Sequence, residues 1–98
     1  MTEANDLTRV HVRVQGRVQG VGFRAYVEHQ AHKLEVAGWV RNVGYDVVEL
    51  VAEGTRAKLD RLADLTKAGP QGARVDEATV EWEKATGEFN EFAVRRSI

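Results

Sequence analysis

Apolar and polar side chains alternate along residues 8–15, with Val10, Val12 and Val14 on one side and Arg9, His11, Arg13 and Gln15 on the other. A period of two predicts a half-buried β-strand. Phe23, Val27, Ala31 and Leu34 then recur at helical spacing among Glu28, Gln30, His32 and Lys33, which predicts a first helix over 22–34. Two β-prone runs, 36–42 and 47–53, flank Val43, Gly44, Tyr45 and Asp46, a hairpin in which Gly44 supplies the tight backbone. Thr55 is placed as an N-cap, and Leu59, Leu62, Ala63 and Thr66 form the inner stripe of a second helix that Gly69-Pro70 stops. Ala78, Val80 and Trp82 alternate with Thr79, Glu81 and Glu83 in a fourth strand, and Phe92 and Val94 alternate with Ala93 and Arg95 in a short fifth. The order β-α-β-β-α-β plus a short C-terminal strand predicts an α+β chain. Its expected form is a ferredoxin-like split βαβ sandwich, an antiparallel sheet with two helices on one face. Residues 1–7 read as a flexible N-terminus and 8–98 as a single domain.

Composition narrows what such a sandwich can do. The 98 residues carry 14 Lys+Arg against 15 Asp+Glu, a net charge of -1. No global field attracts nucleic acid or an anionic membrane, so an anion site has to be local. The absence of cysteine removes thiol catalysis, disulfides and Cys-based zinc sites. The polar start Met-Thr-Glu-Ala-Asn-Asp holds no apolar run of signal-peptide or membrane-span length, and the expected location is cytoplasmic.

The local site is offered by residues 16–24, Gly-Arg-Val-Gln-Gly-Val-Gly-Phe-Arg, between the first strand and the first helix. Glycines allow backbone N–H groups to converge into an anion nest, and the helix start adds unpaired donors and a positive dipole end. Arg24, in the first turn, can close the cradle with two parallel hydrogen bonds to phosphate oxygens. The loop lacks the Gly-Lys-Ser/Thr ending of a P-loop and the third spaced glycine of a dinucleotide fingerprint. Arg17 reads as a solvated charge. His29 and His32, at i and i+3, read as surface histidines because no carboxylate completes a metal set; neither metal nor cofactor is expected. His11 is expected against a cross-strand neighbour, and Trp39 and Trp82 as core or edge aromatics.

At these residues the chain resembles the acylphosphatase family. The segment 16–24 agrees with that family's Gly-x-Val-Gln-Gly-Val-x-Phe-Arg pattern at each fixed position, and Gly38-Trp39-Val40-Arg41-Asn42 agrees with its second signature. Glu49, Val51-Ala52-Glu53-Gly54, Gly69-Pro70, Ala73 and Val75 extend the likeness over about residues 8–96. The resemblance implies hydrolysis of acyl phosphates to carboxylate and inorganic phosphate. It also implies a phosphoryl cradle formed by the backbone N–H groups of Gln19, Gly20, Val21, Gly22 and Phe23, a phosphate-binding Arg24, and Asn42 as the residue that positions the attacking water. The partners are then a small-molecule acyl phosphate and inorganic phosphate, with no nucleic acid, no membrane and a monomeric chain.

Two other readings compete. An RNA-recognition module would stack bases on the open sheet face, but the expected face carries Arg9, His11, Arg13 and Gln15 beside Glu49, Glu53, Glu81 and Glu83, without aromatics. A non-catalytic anion-binding or regulatory module would keep the fold without turnover; so would a domain like the acylphosphatase-like part of hydrogenase-maturation carbamoyltransferases, and an end at Ile98 favours a free-standing enzyme instead. The chain also departs from the family at two places. Glu35 stands where glycine is common after the helix-terminal Leu34, and a left-handed non-glycine cap costs on the order of 1 kcal/mol, so a different helix end is expected. Tyr45-Asp46 replaces the common Asp-Gly of the hairpin, with Gly44 one step earlier. A turn displaced there would move the Asn42 amide, and an ångström of displacement costs about 100-fold in rate.

Overall fold

The structure, a computed structural model, describes residues 6–98. The flexible start expected for residues 1–7 therefore falls largely outside the described residues; Asp6 and Leu7 precede the first strand without regular structure. The elements are β1 (Thr8–Arg17), α1 (Phe23–Leu34), β2 (Ala37–Val43), β3 (Val47–Gly54), α2 (Arg56–Ala68), β4 (Arg74–Lys84) and β5 (Phe92–Val94). They form one five-stranded sheet in the order β4-β1-β3-β2-β5 with α1 and α2 packed together on one face, the ferredoxin-like α+β arrangement. The sheet is mixed, not wholly antiparallel: β5 runs parallel to β2, with Gly38, Trp39 and Val40 opposite Phe92, Ala93 and Val94. A crossover from β4, at the far edge, delivers β5 beside β2 in that direction.

Val10, Val12 and Val14 are fully buried under the helices, as the alternation requires. They meet Phe23, Val27 and Ala31 of α1, and Leu59 and Leu62 of α2, in one apolar cluster. Burying such side chains contributes about 1.5–3 kcal/mol each and fixes the register of β1. Thr66 completes the buried stripe of α2 because its hydroxyl donates to the Leu62 carbonyl at 2.8 Å. Thr55 occupies the N-cap position of α2, but its side chain makes no capping hydrogen bond. The end of α1 also differs from expectation. Glu35 does take the left-handed cap, at φ 59 and ψ 45. Its N–H donates to the His32 carbonyl and that of Val36 to the Ala31 carbonyl, both at 3.1 Å, while Val36 is buried; these gains offset the backbone cost.

The uncovered sheet face is an ion-pair lattice. Glu49, buried on β3, lies with Oε2 2.5 Å from His11 Nε2 and 3.3 Å from Arg13 Nη1, and it accepts Arg41 Nε on Oε1 at 3.0 Å. Glu53, also buried, accepts Arg9 Nε at 2.8 Å and the backbone N–H groups of Thr86 and Gly87 at 2.8 and 3.0 Å. That pins the β4–β5 connection to β3. Trp39 lies half-buried on this face between the guanidinium groups of Arg41 and Arg95, 4.7 and 4.9 Å from the ring centre, so the face does hold an aromatic. Arg56 covers Trp82 at 3.6 Å.

Burial pushes the Glu49 carboxyl up, but the hydrogen bonds and charges of His11 and Arg41 outweigh it and hold the group below its ordinary value. Glu53 is held low in the same direction, burial being outweighed by the Thr86 N–H and Arg9. A depressed folded-state pKa gives stability that is present above the unfolded value, near 4.3, and lost as pH falls through the folded one. Stability is therefore expected to fall steeply below about pH 4. Glu49→Gln should cost about 1–3 kcal/mol at pH 7, with the gap between variant and wild type narrowing in urea titrations as pH falls below about 4; a gap that widened on acidification would exclude this origin.

Candidate active site

The loop between β1 and α1 is suspended from two core anchors. Val18 and Phe23 are buried, the Phe23 ring meeting Tyr26 edge-to-face at 6.1 Å, and the backbone between them arches outward. Gly20 and Gly22 turn that arch with φ 75 and 77, the left-handed region that a side chain resists, and the space over both is open. The first glycine of the segment has a separate task. Gly16 sits at the bulge where β1 changes register against β4, and a Cβ there would lie 2.3 Å from the Arg74 carbonyl oxygen.

Arching leaves donors free. Among the described residues, no backbone N–H of residues 19–25 donates to a protein acceptor; the first helical bond of α1 is Tyr26 N–H to the Gly22 carbonyl at 3.0 Å. The first turn holds no acidic residue, so the positive end of α1 is uncompensated. Arg24 adds a guanidinium to this same end. Among the described residues no carboxylate lies within salt-bridge distance of it, and its hydrogen-bond contact is Nη1 to the Ser97 hydroxyl at 3.5 Å. A cation at a helix N-terminus is unfavourable by about 0.3–1 kcal/mol. Loop donors, helix end and Arg24 thus sum to a small, local positive site in a chain of net charge -1.

Asn42 reaches the site from β2. It pairs with Val48 and lies two residues beyond the buried Val40, so it continues the helix-facing row of β2 past the end of the core. Asn42, Gln19, Gly20, Gly22, Phe23 and Arg24 line one cleft of about 230 Å³, together with Val18 and Ala25. This is below the usual 300–1,000 Å³ of sites that enclose a drug-sized molecule and suits a small anion. Of the seven residues that the family resemblance assigns to the site, Val21 is the one outside this lining; it is half-buried against the core. Arg17 is exposed at the end of β1, and His29 and His32 are exposed on α1, His32 Nε2 lying 3.0 Å from the Phe92 carbonyl oxygen. The donors spaced to share a cation among the described residues are His11, Glu81 and Glu83, on the opposite face of the sheet.

Two supports were not apparent from the sequence. The Gln19 side chain, expected to matter through its backbone N–H, donates Nε2 to the carbonyl oxygens of Gly44 and Val47 at 3.2 and 2.9 Å, tying the loop to the β2–β3 turn. The Gly16 N–H donates to the Asp46 carbonyl at 3.0 Å, and Gln15 Nε2 donates to Asp46 Oδ2 at 2.9 Å. The turn is further held by residues 95–98, which continue from β5 along β2. Ile98 N–H donates to the Asn42 carbonyl at 3.0 Å and the Gly44 N–H to the Ile98 carbonyl at 2.8 Å. Isolated Arg-Arg-Ser-Ile residues after the last apolar alternation carry no local signal for this contact.

Comparisons with known proteins show which family the chain is similar to. The Acylphosphatase family model matches residues 10–94. The chain is 48% identical to the acylphosphatase of Methylococcus capsulatus over 94% of its length and 100% of that protein's. It is 45% identical to the acylphosphatase of Chloroflexus aurantiacus, covering 91% of this chain and 97% of the relative. The structure of an acylphosphatase from Coxiella burnetii superposes with a TM-score of 0.86 at 38% identity, covering 97% of this chain and all of the other. With a family model spanning most of the sequence and relatives matched along nearly their whole length, the chain belongs to the acylphosphatase family.

Proposed function

We propose that the protein hydrolyses the carboxyl-phosphate bond of acyl phosphates in the cleft between the β1–α1 loop and β2. The single observation that supports this reading is one small cleft lined by Gln19, Gly20, Gly22, Phe23, Arg24 and Asn42, where, among the described residues, the loop N–H groups have no protein acceptor and Arg24 has no carboxylate partner. The phosphoryl group lies against the N–H groups and Arg24 grips it with two nitrogens. Phosphoryl transfer spreads charge over three equatorial oxygens in a loose transition state, and fixed donors already aimed there stabilise it without reorganisation.

The leaving group decides what else is needed. A carboxylate, with a conjugate-acid pKa near 4, departs as a stable anion at neutral pH, so no general acid is required. Asn42 cannot titrate, but its amide oxygen accepts from the attacking water while its nitrogen donates to a phosphoryl oxygen. The water proton passes to a phosphoryl oxygen of the substrate. Aiming the nucleophile is a positional task, and its loss costs kcat more than binding. Asn42→Ala is expected to lower kcat for acetyl phosphate by about 100-fold while inorganic phosphate still inhibits at the wild-type concentration. Phosphate release by the wild type at the rate of buffer alone would favour a non-catalytic anion-binding module.

A further inference from the structure

Two groups have to meet in one cleft, and they come from different parts of the chain: the loop follows β1, and Asn42 stands on β2. We infer that the Gln19 side chain is a positioning residue that registers Asn42 against the loop. The inference rests on the hydrolytic reading proposed above and gives Gln19 a task separate from its backbone N–H.

Gln19 is half-buried and lines the cleft. Its Nε2 donates to three carbonyl oxygens, those of Val47 at 2.9 Å, Gly44 at 3.2 Å and Val43 at 3.4 Å. Val43 and Val47 stand opposite each other in the last pair of the β2–β3 ladder before the turn, and the pair before it is Asn42 with Val48. One amide therefore closes the mouth of the hairpin, one residue beyond Asn42. Among the described residues, Gln19 is the one cleft-lining residue whose side chain hydrogen-bonds this turn.

The rest of the turn is held without it. Gly16 N–H and Gln15 Nε2 bind Asp46, and the Gly44 N–H is bonded to the Ile98 carbonyl. Losing the Gln19 amide thus leaves the hairpin folded but frees its end, with Asn42, to shift against the loop. The residue type fits the task. Carbonyl oxygens are partly negative, and three of them grouped beside an anion site have to be satisfied by donors. A carboxamide nitrogen supplies two N–H groups and no charge, so it does not compete with Arg24 for the phosphoryl group.

The test uses two variants that both keep the backbone N–H. Gln19→Met retains the length and bulk of the side chain and removes the donor. It is expected to lower kcat for acetyl phosphate about tenfold and to leave inhibition by inorganic phosphate within about twofold, because misplacing the group that aims the water costs rate and not binding. Gln19→Glu sets an acceptor against three acceptors. Its deficit relative to wild type should be larger at about pH 7.5 and shrink toward that of Gln19→Met at about pH 5, as protonation of the new carboxyl restores an O–H donor. A side chain that merely supports the fold would not produce that recovery. A Gln19→Met kcat within about twofold of wild type, a parallel loss of kcat and phosphate inhibition, or a Gln19→Glu deficit indifferent to pH would overturn the inference and leave the hydrolytic reading intact. A wild-type protein that releases phosphate no faster than buffer would overturn both.

Discussion

Arg24→Ala is expected to lower kcat/KM for acetyl phosphate by about 10³-fold or more, with no loss of folding stability. The activity loss follows from the position of the guanidinium at the head of α1, where, among the described residues, it is the one side-chain cation lining the cleft. Removing a single preorganised donor from a comparable site costs 10²–10³, and an arginine on a transferring phosphoryl group contributes about 10³–10⁵. The stability half of the prediction follows from what Arg24 lacks. Its recorded hydrogen bond, to the Ser97 hydroxyl, is long at 3.5 Å, and it sits at the positive end of a helix with no acid in the first turn. Losing it should leave the thermal midpoint unchanged or slightly raised. Arg24→Lys should recover only part of the activity, because a point charge cannot make two parallel bonds. A drop below tenfold with normal folding would remove Arg24 from the site.

Gly38→Ala is expected to be the most damaging single change to the fold, at about 3–5 kcal/mol. Gly38 stands between β3 and β5, with φ 153, its N–H donating to the Glu91 carbonyl at 3.0 Å. A Cβ would lie 1.9 Å from the Val51 carbonyl oxygen and 2.7 Å from the Ala52 Cα. Both neighbours are backbone, so neither can swing aside as a side chain would. The strand has to separate from β3 or take a new backbone conformation, and either disturbs the register that carries Asn42 to the cleft four residues on. A fall in the thermal midpoint of more than about 15 °C is expected for a domain of this size, read by circular dichroism. A near-neutral result would contradict the close approach of β2 to β3.

Sequence periodicity found the elements because burial is one-sided here. Val10, Val12 and Val14 of β1 and the Leu59, Leu62, Ala63 and Thr66 stripe of α2 are all buried. Where the pattern reflects spatial company and not period, it failed. Nothing local in Phe92-Ala93-Val94 distinguishes a parallel from an antiparallel partner; the direction is imposed by a crossover pinned through Glu53 to Thr86 and Gly87. Trp39 was placed as a core or edge aromatic, but it faces outward between two arginines, because the residues that line its face come from β5 and its continuation as well as β2. Glu35 looked like a departure from the usual helix end, yet Val36 burial and two hydrogen bonds hold it in that end.

The candidate site was more legible than its supports. Arg24, Asn42 and four of the five loop residues line one cleft, since a nine-residue segment leaves few ways to turn from a strand into a helix. The Gln19 tether and the run of residues 95–98 beside Asn42 depend on contacts across 24 to 56 positions, which no local pattern encodes. The three glycines of the loop also divide in a way that their spacing does not reveal. Gly20 and Gly22 turn the loop with positive φ, and Gly16 serves a bulge against β4.

The measurement that bears most directly on the cradle is a titration of isotope-labelled protein with inorganic phosphate, followed by amide NMR at neutral pH. Saturable shifts are expected for the backbone N–H groups of residues 19–25, the Arg24 Nε–H and the Asn42 side-chain amide, all with one dissociation constant, and that constant should rise at least about tenfold in Arg24→Ala, the loss of a charged hydrogen-bonding partner. Shifts confined to the open sheet face around Arg41 and Trp39, or a loop that does not respond while the enzyme still releases phosphate, would contradict a phosphoryl site at the head of α1.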